Sequence, residues 1–341
     1  DKVLMKWENF KKYKSVVIDQ YPTKAEVEEH ERTHLPFRAW CDACVRGRAA
    51  EDPHFRKDEE TEKVTVSVDY YYLGTDTDEK LATFLALYLR PFKASGALMV
   101  PKKGPSEYTV EAVMHYMKFW GIKDCVMKGD QEASIEAIVF EVQKRREDRT
   151  MPEFSPKGDH ASNPAEGEIR LLEGLTRTLI LVVEKNYDVL VTAESRILPW
   201  AGRHASWLRT RFTVGTDGKT PIMRLRGAPY KGIVVDFAEC VWFKFLAKDQ
   251  AKLESRWDTG LFLGRRDLTD EAILGTRNGV EQARSIRRKP AERRWDREEY
   301  VNFIGVPWNP RGTNAQDDRV VVRKQYITKA IVDIHGPTDG C

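Results

Sequence analysis

The sequence predicts a mixed α/β layer fold, and three features of the chain lead to this prediction. Strand-like runs come first, amphipathic helical runs then alternate with a further strand-like run, and short β-like runs follow towards the end. Strands followed by an alternation of strand and helix are typical of a sheet with helices packed on its faces. We therefore expect a layered α/β domain followed by a small β-rich domain.

Composition limits the function classes. The chain has 341 residues, of which 41% are hydrophobic, so it can bury a substantial core. Its 56 basic and 53 acidic residues leave a formal net charge of +3, so any nucleic-acid contact depends on local charge clusters. Five scattered cysteines do not make a disulfide framework, and no apolar run approaches the roughly 18 residues of a membrane helix. We expect a soluble protein in a reducing compartment.

Changes in composition along the chain predict its organisation. The boundaries follow charged stretches and Pro/Gly-rich stretches, which are typical of linkers and loops. The predicted ranges are an N-terminal linker or helix at 1–25, a His2Cys2 zinc module at 26–52, an α/β core at 62–190, a helical Arg/Trp-rich connector at 191–235, a small β-rich domain at 236–310 and a tail at 311–341.

Alternating residues predict the first strand of the core. In "VTVSVDYYYLG", Val66 and Val68 occupy one face, so the period of two places Asp69 on the other. Further apolar runs at 81–89 and 96–100 predict that the chain continues as a meander. The acidic stretch "GTDTDEK" between the first two runs is interpreted as a hairpin tip, because it lacks the ligand spacing of a calcium loop.

Three amphipathic runs predict helices. "SEYTVEAVMHYMKFW" begins at Ser106, a residue type that caps helices well, and "QEASIEAIVFEVQKRRED" follows a short strand that ends at Asp130. The Pro/Gly/Ser-rich stretch "MPEFSPKGDHASNP" is predicted to be a loop. A long helix is predicted over "AEGEIRLLEGLTRTLILVVEK", with these residues pointing inward: Ile169, Leu172, Leu175 and Leu179.

Three acidic residues are the strongest candidates for catalysis. Asp69 lies within the first strand, Asp130 ends a later strand, and Glu166 is expected in the first helical turn behind a cap at Asn163 and a proline at Pro164. Carboxylates brought together repel one another unless divalent cations lie between them, and such cations serve phosphodiester chemistry. Each residue also has a purely structural interpretation, as a solvated acid, a turn residue and a capping glutamate respectively.

The three acidic segments resemble a known family. "VTVSVDYYYLG", "MKGDQEASIEAIVFEVQKRR" and "SPKGDHASNPAEGEIRLLEG" are similar to the acidic blocks of the integrase core of copia-type LTR retrotransposon Gag-Pol polyproteins, within the retroviral integrase superfamily. The interval between Asp130 and Glu166 fits the D,D-35-E pattern of that superfamily. "DGKTPIMRLRG", "FAECVWFKF" and "AKLESRWDTGLFLGRR" resemble segments that follow the core, so the likeness covers most of 30–310. It is strongest to the copia-like elements of dinoflagellates.

The resemblance implies a fold and an activity. The fold would be an RNase H-like mixed five-stranded sheet with flanking helices, and Asp69, Asp130 and Glu166 would bind two Mg²⁺ (or Mn²⁺) ions. The activity would be transfer of a DNA 3′ end into target DNA in the nucleus, by a homo-oligomer bound to double-stranded DNA. This chain has one residue fewer before Glu166 than the family pattern, so Glu168 is an alternative third ligand. An RNase H-like nuclease and an inactive remnant that only binds DNA are alternative functions.

A His/Cys cluster precedes the core. In "HERTHLPFRAWCDAC", His30 and His34 share one face if helical, and Cys41 and Cys44 have the spacing of a zinc knuckle. Four such ligands without a carboxylate predict one closed, structural Zn²⁺ site rather than a catalytic one. Solvated histidines and a buried cysteine pair are the alternative. The resemblance also implies a zinc module, because integrases of this superfamily carry one before the core.

Two basic surfaces are candidates for DNA contact. Arg170 and Arg177 recur on the face of the long helix that leads away from Glu166, although ion pairs with Glu173 would explain them equally well. The run "RSIRRKPAERR" is dense in charge and is expected to be flexible. Its candidate DNA-binding residues are Arg284, Arg287, Arg288 and Lys289. His115 and His204 are predicted to be packed or capping histidines rather than metal ligands.

Overall fold

In the computed structural model, the described residues are 22–31, 38, 40–41, 63–76, 78–155, 164–245, 253 and 255–312. The chain divides into two units, Asp1–Glu60 and Thr61–Cys341. Within the described ranges, no helix is both long enough and apolar enough to cross a lipid bilayer.

The first unit contains helix α1, Lys24–Glu31. Thr23 and Glu26 begin it with a reciprocal capping box, in which Thr23 N–H donates to Glu26 Oε2 at 2.8 Å and Glu26 N–H donates to Thr23 Oγ1 at 3.3 Å. His30, in the last turn, is buried, and its ring meets the edge of Trp40 with centroids 4.9 Å apart. Cys41, which follows Trp40 in the sequence, is also buried.

The second unit is built on a mixed five-stranded sheet. Its strands are β1 (Thr65–Leu73), β2 (Ala82–Arg90), β3 (Ala94–Met99), β4 (Cys125–Asp130) and β5 (Thr150–Ser155), in the order β3-β2-β1-β4-β5. The first three strands form the predicted antiparallel meander, while β4 and β5 run parallel to β1. The predicted mixed five-stranded sheet is therefore confirmed, and β1 and β2 pair as the predicted hairpin, with Leu73 opposite Ala82 nearest the turn.

Helices cover both faces of this sheet. α2 (Glu107–Trp120) and α3 (Ala133–Arg145) pack on one face, and α4 (Ala165–Tyr187) and α5 (Leu198–Phe212) pack on the other. Ser106 caps α2 as predicted, because its side chain accepts from Thr109 N–H, and Gly121 ends that helix in the left-handed conformation at φ 69°. The buried face of α3 is the predicted one: Ile135, Ile138, Val139 and Val142.

Strand β5 contradicts the prediction of a loop over "MPEFSPKGDHASNP". Met151 to Ser155 pair in parallel with β4. Pro152 cannot donate to a ladder, but β5 is an edge strand, where a proline is tolerated. The sequence pattern there is weak because the apolar Met151 and the charged Glu153 share one exposed face, so the segment resembles a loop.

A second, antiparallel sheet packs against α5. Its strands are β6 (Cys240–Lys244), β7 (Trp257–Arg265), β8 (Ala272–Thr276), β9 (Gly279–Ala283) and β10 (Ile286–Arg288), in the order β10-β6-β7-β8-β9. Short helices α6 (Pro221–Arg226) and α7 (Arg297–Asn302) flank it in sequence. One buried cluster includes Phe84 of the first sheet, Trp200 of α5 and Leu261 of the second sheet. Helix α5 therefore lies in a core that both sheets share.

His204 lies in the middle of this shared layer. Its ring stacks on Trp207 at 5.4 Å and on Phe237 at 5.3 Å, which confirms the prediction of a packed histidine. Burial, together with the positive charges of Arg203 and Arg211, lowers the pKa of His204 to about 3. The imidazole is therefore neutral in the folded protein at neutral pH.

This buried histidine predicts a loss of stability in acid. The unfolded state binds a proton on His204 below about pH 6.5 and the folded state does so only near pH 3, so this contribution is complete above pH 6.5 and is lost as the pH falls. At pH 5 the loss is about 2 kcal/mol of unfolding free energy. Urea denaturation at several pH values measures it. The variant His204→Phe should lack this component, and equal pH dependence in both proteins would contradict the account.

Candidate active site

The parallel ladder between β1 and β4 places Asp69 and Asp130 side by side. Its last registered pair is Val68 with Gly129, and the two aspartates are the next residues on their strands. Neighbouring strands lie about 4.8 Å apart, and level residues of parallel strands point to the same face. Val68 belongs to the cluster beneath α2 and α3, so both aspartates point to the opposite face, on which α4 packs. The sheet therefore presents two adjacent carboxylates.

Glu166 lies in the first turn of α4, as predicted. The helix begins at Ala165, with Pro164 in the cap position and no side-chain cap, whereas the predicted cap, Asn163, lies outside the described residues. The Glu166 side chain is 46% exposed, and its Oε1 accepts from Arg170 Nη2 at 2.7 Å. In this structure its carboxylate is therefore bonded to its own helix.

Glu168, the alternative third ligand, points elsewhere. Its side chain is buried and faces β3 and α5, where Oε1 accepts from Ser95 Oγ and Arg209 Nε and Oε2 accepts from Arg209 Nη2 at 2.9 Å. Both carboxylate oxygens are thus used by a buried ion pair that ties the first turn of α4 to α5. This network joins residues far apart in the sequence, so no local pattern indicates it.

The predicted magnesium ligands are only partly assembled. Within the described part of the chain, no group of three or more His, Cys, Asp or Glu side chains is arranged to hold a metal ion. Asp69 and Asp130 fit a divalent cation by their chemistry, since carboxylate oxygens are the donors that Mg²⁺ prefers. The structure brings this pair together and keeps the carboxylate of Glu166 on Arg170.

Lys128 is a neighbouring cation that the sequence analysis did not single out. It lies two residues before Asp130 and therefore on the same face of β4, level with Ser67 of β1. Its side chain is 19% exposed, and Nζ is 3.6 Å from Glu153 on the edge strand. The period of two in "CVMKGD" could have indicated a lysine beside the aspartate pair.

A second cation lies past the end of β3. Lys103 Nζ donates to Glu132 Oε1 at 2.7 Å and sits 4.8 Å from the centre of the Tyr70 ring. Burial alone would lower the pKa of Lys103, but the interactions with Glu132 and Tyr72 together outweigh burial and raise it. Because Glu132 is two residues beyond Asp130, this pair joins the loop after β3 to the segment that follows Asp130.

The predicted zinc ligands are described only in part. His30 and Cys41 are buried residues of the first unit, and both have interaction partners. His34 and Cys44 lie outside the described residues. The zinc site is therefore still a prediction.

The basic candidates differ in their surroundings. Arg177 is exposed on α4. Arg170 forms an ion pair with Glu166, whereas the alternative interpretation paired it with Glu173. Arg284 is 79% exposed and lies 3.4 Å from Glu271. The guanidinium of Arg287 lies 5.8 Å from the centre of the Trp257 ring. The backbone oxygen of Lys289 accepts from Arg294 Nε at 2.9 Å.

The expectation that "RSIRRKPAERR" is flexible is wrong for its first half. Ile286–Arg288 form edge strand β10, paired with β6, and Ile286 is buried. Arg288 Nε donates to Oε1 of the fully buried Glu239 at 2.8 Å, and its Nη2 donates to Asp236 at 3.0 Å. A three-residue strand is too short to produce a recognisable alternation, and Glu239 is distant in sequence.

Replacing Arg288 is therefore expected to affect stability. Arg288→Met should lower the free energy of unfolding by about 2 kcal/mol, because it removes the main partner of a buried carboxylate. The loss should be smaller than for a fully buried pair, since Arg288 is 41% exposed and Arg294 still lies 3.6 Å from Glu239. Urea denaturation measures it, with Arg287→Met as the matched control at about 0.5 kcal/mol or less. Equal losses in the two variants would contradict this role.

Comparisons with known proteins give structural neighbours. No protein-family model matches the chain. No curated protein matches it either. The simian T-cell lymphotropic virus intasome, solved by cryo-EM in complex with a PP2A regulatory subunit, is similar with a TM-score of 0.39 and 14% identity over 74% of this chain and 88% of that one.

Two integrase core structures are also similar. The HTLV-2 integrase catalytic core domain in complex with magnesium, in a trimeric form, has a TM-score of 0.35 and 13% identity over 48% of this chain and 95% of that one. The catalytic core domain of BIV integrase has a TM-score of 0.33 and 10% identity over 47% and 92%. These neighbours are retroviral integrases. The mixed five-stranded sheet of this chain, with helices on both faces, fits the predicted RNase H-like fold.

Proposed function

We propose that this chain is a polynucleotidyl transferase of the integrase type, which joins a DNA 3′ end to target DNA. The observation that carries the proposal is the level placement of Asp69 and Asp130 on neighbouring parallel strands, beside the first turn of α4. Two acidic residues held side by side by the main chain repel each other, and a bound cation relieves that repulsion.

Asp69, Asp130 and Glu166 are the proposed ligands of two Mg²⁺ or Mn²⁺ ions. When bound, such ions activate an attacking hydroxyl and stabilise the leaving oxygen of a phosphodiester. Glu166 is favoured over Glu168 because both oxygens of Glu168 are held by Arg209 and Ser95. The bond between Glu166 and Arg170 is an exposed ion pair worth about 0–1 kcal/mol, so its release costs little.

Three basic residues near the aspartate pair or along α4 have proposed roles in binding DNA: Lys128, Arg170 and Arg177. Lys128 shares their face, so its ammonium group is placed to contact a phosphate of the bound strand. Arg170, once released from Glu166, and Arg177 would contact phosphates further along α4. Their contacts are expected to position the backbone rather than to read sequence.

The remaining assignments are proposals that the sequence resemblance supports. They comprise a copia-type retrotransposon origin, double-stranded DNA as the partner, a homo-oligomeric assembly and action in the nucleus. The first unit is proposed to hold one structural Zn²⁺ ion through His30, His34, Cys41 and Cys44. Metal analysis of the purified chain tests the zinc proposal, because about one zinc per chain is expected and a Cys41→Ser variant should contain much less.

A joining assay tests the proposed function. The full chain is incubated with a pre-cut duplex end and a target plasmid, with Mg²⁺, with Mn²⁺ or with EDTA. Joined product that requires the metal is expected. Cleavage of DNA without joining would favour the RNase H-like nuclease, and DNA binding without either reaction would favour the inactive remnant.

A further inference from the structure

A cavity lies at the junction of the two sheets, away from the aspartate pair. Its volume is about 210 Å³, and it is lined by α2, α5, strands β8 and β9 and the segment that contains Pro307 and Pro310. The first sheet reaches it only through β3, the edge strand, which is separated from β1 by β2. None of the residues proposed for catalysis lines this cavity.

The walls of the cavity are mostly apolar. The ring of Trp200 on α5 lines it, held in place by a hydrogen bond from Nε1 to the oxygen of Gly305 at 3.1 Å. Tyr108 on α2 faces it with a ring that meets Trp308 edge to face at 5.9 Å, and Ile273 and Pro307 complete the apolar surface. A planar, single-ring body suits walls of this kind and a volume of this size.

One side of the cavity carries an excess of positive charge. Asp267 lines the wall with a side chain that is 4% exposed, and it accepts from Arg203 Nη2 at 3.1 Å and from Arg211 Nη2 at 3.3 Å. Burial alone would raise the pKa of Asp267, but the two guanidinium groups and His115, at 3.7 Å, outweigh burial and lower it. One negative charge thus faces two permanent positive charges, which leaves the cluster net positive.

Arg266 adds a second guanidinium to the lining of the cavity, in addition to that of Arg203. Among the residues that the structure describes, its side chain has no hydrogen-bond or ion-pair partner. A guanidinium carries five N–H donors in a planar fork that matches a carboxylate or a phosphate. Among the described residues that line the cavity, Asp267 is the one with a carboxylate, and Arg203 and Arg211 already share it.

We propose that this cavity binds a small organic anion. An aromatic body would lie against Trp200 and Tyr108, and a carboxylate or phosphate head would bind Arg266 and the remaining donors of Arg203. The ligand would touch α2, α5 and the second sheet together, and therefore link the two sheets. This site does not depend on the aspartate pair or on the proposed DNA chemistry.

Matched small probes test the proposal on the full chain. Benzoate, phenyl phosphate and the uncharged benzamide share one ring and differ in the head group, and calorimetry or ligand-observed NMR measures their affinities. At least one anion should bind saturably and about tenfold or more tightly than benzamide, since charge-assisted bonds are the stronger ones. The tighter of the two anions identifies the head group. The proposal would be overturned if benzamide bound as tightly as the tighter anion, or if neither anion bound saturably.

Two variants locate the binding. Arg266→Gln should reduce the affinity for the preferred anion about tenfold, to the level of benzamide, whereas Arg284→Gln, at an exposed arginine outside the cavity, should leave it unchanged. Because Arg266 has no described side-chain partner, its replacement should not disturb folding, which circular dichroism checks. Equal loss in both variants would reveal non-specific charge attraction and contradict the site. Ala112→Leu, which fills the cavity from α2, should abolish binding of all three probes.

Discussion

Replacing Glu168 by glutamine should lower the free energy of unfolding by about 3–5 kcal/mol. The substitution preserves shape but removes the charge, so the guanidinium of Arg209 is left largely buried without a counter-ion. The first turn of α4 would also lose one of the two acceptor oxygens through which it bonds to α5 and to Ser95 of β3. Urea denaturation at neutral pH measures the change, and an unchanged m value would show that the loss lies in the folded state.

Two controls make this result specific. Glu166→Gln removes the same charge two residues earlier, but from an exposed pair, and should cost about 1 kcal/mol or less. The double variant Glu168→Met with Arg209→Met removes both charges and should recover much of the lost stability, because no buried charge is left unpaired. If Glu168→Gln cost no more than Glu166→Gln, the buried ion pair would not have the role assigned to it.

For catalysis the expected order is reversed, because Glu166, which contributes little to stability, is the proposed metal ligand. Glu166→Gln is expected to reduce the rate of DNA joining by about a hundredfold or more, because it removes a proposed ligand of the metal ions. Stability should hardly change, so the lost activity could not be attributed to unfolding. Joining rates at saturating DNA, with Mg²⁺ and with Mn²⁺, measure the effect.

Glu173→Gln is the matched control for catalysis. It lies two turns along the same helix, in the series that begins at Glu166, and should keep the rate within about threefold of wild type. Full activity in Glu166→Gln would contradict the assignment of the third ligand. Activity lost equally in Glu166→Gln and Glu173→Gln would indicate a general effect of charge on DNA binding.

The first four strands of the core could be predicted because their patterns are local. Val66 and Val68 alternate with Ser67 and Asp69, and in the structure the two valines are buried beneath α2 and α3 while Asp69 turns to the other face. The cap at Ser106 and the buried stripe of α3 are likewise set by neighbours in sequence. Asp130 was correctly placed at the end of a strand for the same reason.

Partners distant in the sequence could not be predicted. Glu168 bonds to Arg209, which is 41 residues away, and Glu239 bonds to Arg288, which is 49 residues away. A single sequence shows that these residues are charged but not which of them meet. For that reason the sequence predicts Arg288 as a DNA contact in a flexible basic run, and Glu168 as a candidate ligand, although each belongs to a pair with a buried carboxylate.

Tertiary packing also determines the structure of two segments, strand β5 and helix α5. Strand β5 contains a proline and exposed residues, and only its place at the edge of the sheet permits it to be a strand. Helix α5 was predicted as part of an Arg/Trp-rich connector. In the structure its residues Trp200, His204 and Trp207 are buried, because the second sheet covers the side that faces away from the first.

The most direct test of the proposed active site is a joining assay that compares two Asp→Asn variants. One lies at the end of strand β4 and the other immediately before the strand begins. Asp130→Asn removes a carboxylate at the end of β4, beside Asp69, whereas Asp124→Asn makes the same change immediately before that strand. With both variants shown to be folded, Asp130→Asn should give no joined product and Asp124→Asn should match wild type. Joined product from Asp130→Asn at the wild-type rate would contradict the account.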